Sequence, residues 1–452
     1  MATSPPPRRV LLLPTQPAAL RTLRLAADAL RADGRFAPEW LLAGRLADGH
    51  GEDALPVHRI TTEADPVAAE GRLAAALRYT PPVVAARVRR LADALHAARA
   101  ESGERLAALR PAALLTSDDR LSGAFAALLA EAGARGVPRI TVPYALSRAE
   151  GSARTRRDRR VHHADVPPQL GRKRRIAREH AGQVHVADGR PLLFFSPEVT
   201  EALARAGALP ARPWTMGGGL SDAVAVASAE DARYVASFGV DAARLHVVGD
   251  LSLDALHAAA TRRDALRAEL RARHFGGREG VLVIVAVPQL AEQGVAGEAA
   301  GRAAAVAFVR PFADAGAQVL CSLHPKCAPE DYAFLTREHG AALASRPLAE
   351  LLPAADVFAA GFSSTVRWAV LCGVPTVVAD LGWWGYDLYD HLRGVVTVRD
   401  AAALSAAASE LVRDGARRAA LAAAHAAAGA ELPPFDGLAG ARLVDLVARL
   451  AL

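Results

Sequence analysis

The chain has 452 residues, too many for one ordinary hydrophobic core, and two domains of about 200 residues each are the natural division. Hydrophobic residues make up 52% of it, which excludes wholesale disorder, and an aromatic share of only 5% suits layered α/β units better than a β-sandwich. The net charge of +6 is carried almost wholly by arginine, since Lys173 and Lys326 are the only lysines.

In the first half, short aliphatic runs at Val10–Leu13, Trp40–Ala43, Ala113–Thr116 and Arg139–Pro143 read as strands. Segments of helical period fill the gaps, including a long one over Val83–Leu109 with an expected interruption at Gly103. In the second half strands are expected at Ala223–Ala227, Leu245–Val248, Val281–Val287, Gln318–Ser322, Asp356–Ala359 and Thr376–Ala379. Pro210 and Pro213, followed by Gly217, Gly218 and Gly219, read as the linker and hinge between the halves. That division gives an N-terminal domain at 1–212 and a C-terminal domain at 213–430. Helices are expected at Ala401–Val412 and Ala416–Ala428, and the segment 431–452 closes the chain with a bracing helix over Ala439–Leu452. The expected architecture is α/β: two Rossmann-like doubly wound parallel-sheet domains facing each other across a cleft, with ligands beyond the carboxyl ends of the strands.

Cys321, Cys327 and Cys372 are odd in number and lack metal-ligand spacing, so they read as reduced thiols of a cytosolic protein. No metal and no cofactor is expected. The run Val10–Leu13 is too short for a signal-peptide core, and Val281–Val287 has strand length rather than the ~20 residues of a membrane helix, so any membrane contact is expected to be peripheral.

Three loops of the second half follow predicted strands. Ser363, Ser364 and Thr365 open a helix, where hydroxyls and free N–H groups attract an anion; an ordinary N-cap is the other reading. His324, Pro325 and Lys326 set an imidazole beside an ammonium on a stiffened turn, two donors for a phosphate. Glu292 and Gly294 follow the most apolar strand. In the first half, Asp118 and Asp119 follow the strand Ala113–Thr116; either suits a general base, and either suits a helix N-cap. Between Arg148 and Arg178, ten arginines and Lys173 face only Glu150, Asp158 and Asp165, a surplus larger than the net charge of the whole chain. This insertion grips an anionic acceptor or lipid-linked intermediate, lies on an acidic membrane surface, or is a solvated loop. Nucleic acid is disfavoured, because no stacking aromatics interleave the arginines.

The segment Val247 to Asp254 resembles the V-x-G-x-P-x-x-D motif of GT-B glycosyltransferases and their sugar-nucleotide epimerase relatives, with Leu251 at the proline position. His324-Pro325 resembles the HP motif of bacterial sialyltransferases, polysialyltransferases and glycerophosphate transferases. Ser363-Ser364-Thr365 resembles their paired-serine phosphate motif, and the run from Gly373 to Val377 the strand that follows it. In those families an acidic pair followed by glycine supplies the base; Asp118 and Asp119 match the pair, and Arg120 replaces the glycine. The resemblance implies a GT-B fold and an inverting, metal-independent glycosyltransferase, cytoplasmic or peripheral at the inner face of a membrane. It would use a nucleotide-activated sugar, in particular a CMP-activated one, on a cell-surface glycan or lipid-linked acceptor. It implies phosphate contacts from His324, Pro325, Lys326, Ser363, Ser364 and Thr365, with ribose or base contacts from Glu292 and Gly294. A sugar-nucleotide 2-epimerase fits the same motifs, and a non-catalytic nucleotide-sugar-binding scaffold is the reading from another class.

Overall fold

Seven parallel strands build the first sheet in the order β3-β2-β1-β4-β5-β8-β9. They are β1 (Arg8–Leu13), β2 (Phe36–Ala43), β3 (Val57–Ile60), β4 (Ala113–Thr116), β5 (Arg139–Thr141), β8 (Ala223–Val226) and β9 (Leu245–Val247). In the computed structural model, residues 5–43, 46, 55–62, 78–145, 148–292, 295–324, 327–361, 363–381, 389–428 and 432–451 are described. The inner strands are apolar on both faces because helices cover both. Val10, Leu12 and Leu115 join one core with Leu23 and Leu30, and Leu11, Leu13 and Leu114 the opposite one with Leu128 and Leu129. From β1 the chain winds outward to β3, then restarts at β4 and winds the other way to β9. The winding therefore reverses between β1 and β4, which pair with Leu12 opposite Leu115.

The long helix runs unbroken from Pro81 to Leu109, so Gly103 does not interrupt it. A Cβ at Gly103 would lie 2.6 Å from a guanidinium nitrogen of Arg135; glycine there admits a close neighbour. The closing helix runs from Ala439 to Ala451. Its Leu443, Val444, Leu446 and Val447 are buried with Leu23 and Leu30 of the helix Leu20–Asp33, so it belongs to the first unit.

The basic insertion between β5 and β8 is folded rather than a solvated loop. It carries the helices Ala149–Arg154 and Leu170–Glu179, and the antiparallel hairpin β6 (Val184–Ala187) and β7 (Arg190–Leu193) follows them. The hairpin turns on Asp188 and Gly189 at φ 50° and 72°, the left-handed pair of a tight primed turn. Arg172 pairs with Glu201 at 3.2 Å, and the Lys173 ammonium, fully buried, donates to the carbonyls of Arg160 and Val166. Burial, reinforced by Arg156, Arg159 and Lys173, pulls the His162 imidazole down from 6.5 to about 4. A histidine held neutral by the fold binds its proton more readily once unfolded, so its contribution is full above 6.5 and is lost as the pH falls towards 4. Stability should decline over that window, and His162→Gln should flatten the decline in urea titrations compared across pH.

The second sheet has six parallel strands in the order β12-β11-β10-β13-β14-β15. They are β10 (Leu282–Ala286), β11 (Gln318–Ser322), β12 (Ala342–Leu343), β13 (Val357–Ala360), β14 (Thr376–Ala379) and β15 (Val395–Val398). Side chains alternate between two cores: Leu282 and Ile284 pack with Phe358 and Val370, Val283 and Val285 with Phe308 and Phe312. This sheet reverses between β10 and β13. Two Rossmann-like parallel-sheet units are thus present. The boundary differs from the expected one at 212/213: the first unit comprises 1–251 with 439–452, the second 252–438. The reason is strand pairing, since β8 hydrogen-bonds to β5 with Ala223 opposite Ile140, and β9 to β8, so both belong to the first sheet. Among the described residues no helix is long and apolar enough to cross a membrane.

Candidate functional site

In a doubly wound sheet, the loops after the two strands flanking the reversal splay apart and leave a crevice for a ligand. In the second unit those loops follow β10 and β13, and the loop after β11 lies next to them. All three are the loops singled out in the sequence. After β10, the exposed Glu292 accepts a 2.8 Å hydrogen bond from the Tyr332 hydroxyl. Burial opposes its charge, but that hydroxyl, with further donors and the nearby His324, holds the carboxyl below the usual range. After β11, His324 is half-buried, and its carbonyl accepts from the Cys327 amide at 2.8 Å. The Cys327 thiol lies 3.8 Å from the Tyr332 oxygen, so Glu292, His324, Cys327 and Tyr332 form one polar cluster. Tyr332 escaped the sequence reading because it belongs to no recognisable motif, and Cys327 reads there only as a reduced thiol. Cys321 and Cys372 are buried, and burial pushes both thiols up to about 12.

After β13, Ser363 Oγ accepts from the Thr365 amide at 3.3 Å and lies 2.7 Å from Thr365 Oγ1. Ser364 is exposed, and Thr365, the N-cap of the following helix Val366–Leu371, makes no side-chain cap bond. The loop is pre-shaped by its own hydroxyls and keeps an exposed hydroxyl at its tip. Gly294, Pro325 and Lys326 lie outside the described residues.

In the first unit the crevice is the one between β1 and β4. It is bridged by Thr15 and Ser117, whose hydroxyl oxygens are 2.9 Å apart, and the Thr15 amide donates to Ser117 Oγ at 3.0 Å. Asp118 is buried and grips Arg120 by three bonds, from its amide at 3.0 Å, from Nε at 2.9 Å and from one Nη at 2.8 Å. Burial works against the Arg120 charge, but Asp118 and Asp119 outweigh it and keep the guanidinium firmly protonated. Tyr144, beyond β5, is hydrogen-bonded to Gln16 and feels the Asp118 charge. Thr15, Gln16 and Tyr144 were missed in the sequence; their only signal is that they follow strands of a parallel sheet.

Asp119 has a different place. It is wholly buried, its Oδ1 accepts from the Gly217 amide at 2.8 Å, and its Oδ2 from those of Gly219 at 2.9 Å and Ser221 at 3.2 Å. Burial and the Asp118 charge push its carboxyl above the usual range, and the N–H donors oppose that push. A carboxylate so enclosed staples a loop; of the expected pair, only Asp118 keeps any exposure.

The same bonds correct the hinge. Gly217, Gly218 and Gly219 lie inside the first unit, not between the units. Gly217 has φ +87°. A Cβ on Gly218 would stand 2.2 Å from the Arg212 carbonyl oxygen, and one on Gly219 would stand 1.9 Å from that of Asp119. These glycines are required by close packing. The chain crosses from one unit to the other at 251/252 and 438/439 instead.

Neither a protein-family model nor a curated protein sequence matches the chain. Solved structures do. A crystal structure of the UDP-GlcNAc 2-epimerase from Neisseria meningitidis bound to UDP-GlcNAc is similar with a TM-score of 0.50 at 9% identity, covering 98% of this chain and 99% of that one. The glycotransferase of kitacinnamycin is similar with a TM-score of 0.50 at 16% identity, covering 99% and 100%. The fold is the one both share. At such identities the likeness speaks for the fold alone and leaves the chemistry to the site residues.

Proposed function

We propose that the chain is an inverting, metal-independent glycosyltransferase that takes its sugar from a nucleotide-activated donor. The observation that carries this reading is the gathering of Glu292, His324, Ser363, Ser364 and Thr365 on neighbouring strand ends around the reversal of the second sheet. An imidazole and hydroxyls there suit a phosphate leaving group, and a carboxylate held ionised suits ribose hydroxyls. Pro325, Lys326 and Gly294 complete the donor site in this proposal, and a CMP-activated sugar is the donor its sequence motifs favour. Asp118 is the proposed base for the acceptor hydroxyl, with Asp119 positioning it. The acceptor is an anionic or lipid-linked cell-surface glycan, met at the cytoplasmic face of the membrane, where the exposed Arg154, Arg159, Arg174 and Arg178 supply attraction.

A second reading is favoured by the likeness to the epimerase, which is as high as that to the glycotransferase. In it the same donor site holds a sugar nucleotide through elimination and readdition of its nucleotide. Incubation with nucleotide sugars separates the two. A transferase releases nucleotide only with acceptor present, whereas a 2-epimerase interconverts two sugar nucleotides without one. Binding without turnover would return the chain to a scaffold. Ser363→Ala with Ser364→Ala should weaken donor affinity by roughly tenfold or more, as expected for lost bonds to a charged phosphate. An unchanged donor dissociation constant would remove this loop from the site.

A further inference from the structure

Beyond the carboxyl end of β4, two arginines from distant parts of the chain meet on one aromatic ring. The Arg120 guanidinium carbon is 6.0 Å from the Phe194 ring centroid and that of Arg156 is 3.8 Å from it, with Trp214 a further 5.7 Å from Arg156. Neither fork is fully used. Arg120 spends Nε and Nη2 on Asp118, while its Nη1 is buried without a hydrogen-bond partner, although the residue is only 6% exposed. Arg156 spends Nε on the Phe194 carbonyl and Nη1 on the Ser152 carbonyl and Thr155, and its Nη2 makes no hydrogen bond among the described residues. A buried N–H left unpaired costs about 1–3 kcal/mol, more when charged, so such a donor calls for an acceptor.

The charges facing this spot are Asp118 and Asp119 on one side and Arg120, Arg156 and Arg159 on the other, with the neutral Tyr144 hydroxyl beside Asp118. Asp118 is already gripped by Arg120 and Asp119 by backbone N–H groups, so the arginine side holds the unspent donors. Burial, and then the Arg120 and Arg159 charges, pull Arg156 down to about 10, the mark of positive charge without enough compensation.

We propose that Arg120 and Arg156 form an oxyanion subsite, which takes the carboxylate or phosphate of an acidic acceptor beside the β1–β4 crevice. The proposal rests on the first unit being the acceptor side and deepens it, because it gives the acceptor a charge and a place. One unspent Nη from each arginine can meet separate oxygens of either oxyanion, which a monatomic chloride does not offer.

The full-length protein is titrated with sodium acetate and with inorganic phosphate, using chloride to hold ionic strength constant, and binding is read by calorimetry. Saturable binding of acetate is expected, weakened about tenfold or more in Arg156→Gln and less in Arg156→Lys. Phosphate binding should be reduced rather than abolished, because the second unit offers phosphate another site. The tighter of the two probes in the first unit assigns the acceptor group as carboxylate or phosphate. No saturable acetate binding at constant ionic strength, or equal acetate affinity in Arg156→Gln, overturns the proposal. If the glutamine variant does not fold, Arg156→Lys decides, and unaltered acetate affinity in it counts against the subsite. No nucleotide takes part in this titration. Acetate binding without sugar transfer would keep the subsite and sink the transferase reading, while transfer to a neutral acceptor by a protein indifferent to acetate would do the reverse.

Discussion

Gly219→Ala is expected to be among the most damaging single substitutions in the chain. The added methyl would stand 1.9 Å from the Asp119 carbonyl oxygen and 2.5 Å from its carbonyl carbon, both backbone atoms that no rotamer change can move aside. The loop has little freedom to retreat, because the carboxylate of the same aspartate holds the amides of Gly217, Gly219 and Ser221. Relief must come from breaking those bonds or from shifting β4 in the middle of the first sheet. Overpacking of this kind costs about 3 kcal/mol or more. For a unit of this size that is a fall in Tm on the order of 6–12 °C. A thermal melt within a degree or two of the unaltered protein would show the loop to be yielding, as a hinge would be, and would revive that first reading.

Asp119→Ala tests the other half of the same contact. It orphans three buried N–H groups, each worth about 1–3 kcal/mol, so a loss of stability of about 3 kcal/mol or more is expected. Asp119→Asn should fall between, since an amide offers one acceptor oxygen where the carboxylate uses two. It also removes a charge that burial and Asp118 disfavour. A general base would behave otherwise: its loss lowers turnover by ~10²–10⁴ and leaves the melting curve alone. Urea denaturation of both variants beside turnover measurements separates these outcomes, and a normal melt with lost turnover would make Asp119 the base.

Much of the fold was legible because parallel strands covered on both faces announce themselves as unbroken aliphatic runs. Val10–Leu13, Ala113–Leu115 and Leu282–Ala286 are such runs, and all lie within central strands. Of the missed strands, β15 (Val395–Val398), at an edge of the second sheet, did carry that signal, while two others lack it. β3 (Val57–Ile60) carries His58 and Arg59 at a sheet edge, and β12 has only two residues. The hairpin of β6 and β7 was readable in principle, since Asp188-Gly189 between two short strand-formers is a strong turn signal. The domain boundary was misplaced for a physical reason. Proline and glycine mark flexible linkers and tight packing alike, and only the long-range approach of Asp119 to Gly217 and Gly219 tells them apart. The three loops of the second unit were found because each follows a strand that was itself legible. Arg120 and Arg156 were visible as charges, but their meeting on Phe194 depends on the folded insertion.

Binding of a nucleotide-activated sugar by the second unit, through the loops after β10, β11 and β13, can be measured by calorimetric titration with nucleotides. CMP, CDP, UDP, GDP and dTDP are offered in turn to the unaltered protein and to His324→Ala. Saturable binding of at least one of them is expected, weakened in His324→Ala by the roughly tenfold to hundredfold that follows loss of a hydrogen bond to a charged phosphate, with an unchanged melting curve. Absence of binding for all five, or equal affinity in the variant, would contradict it.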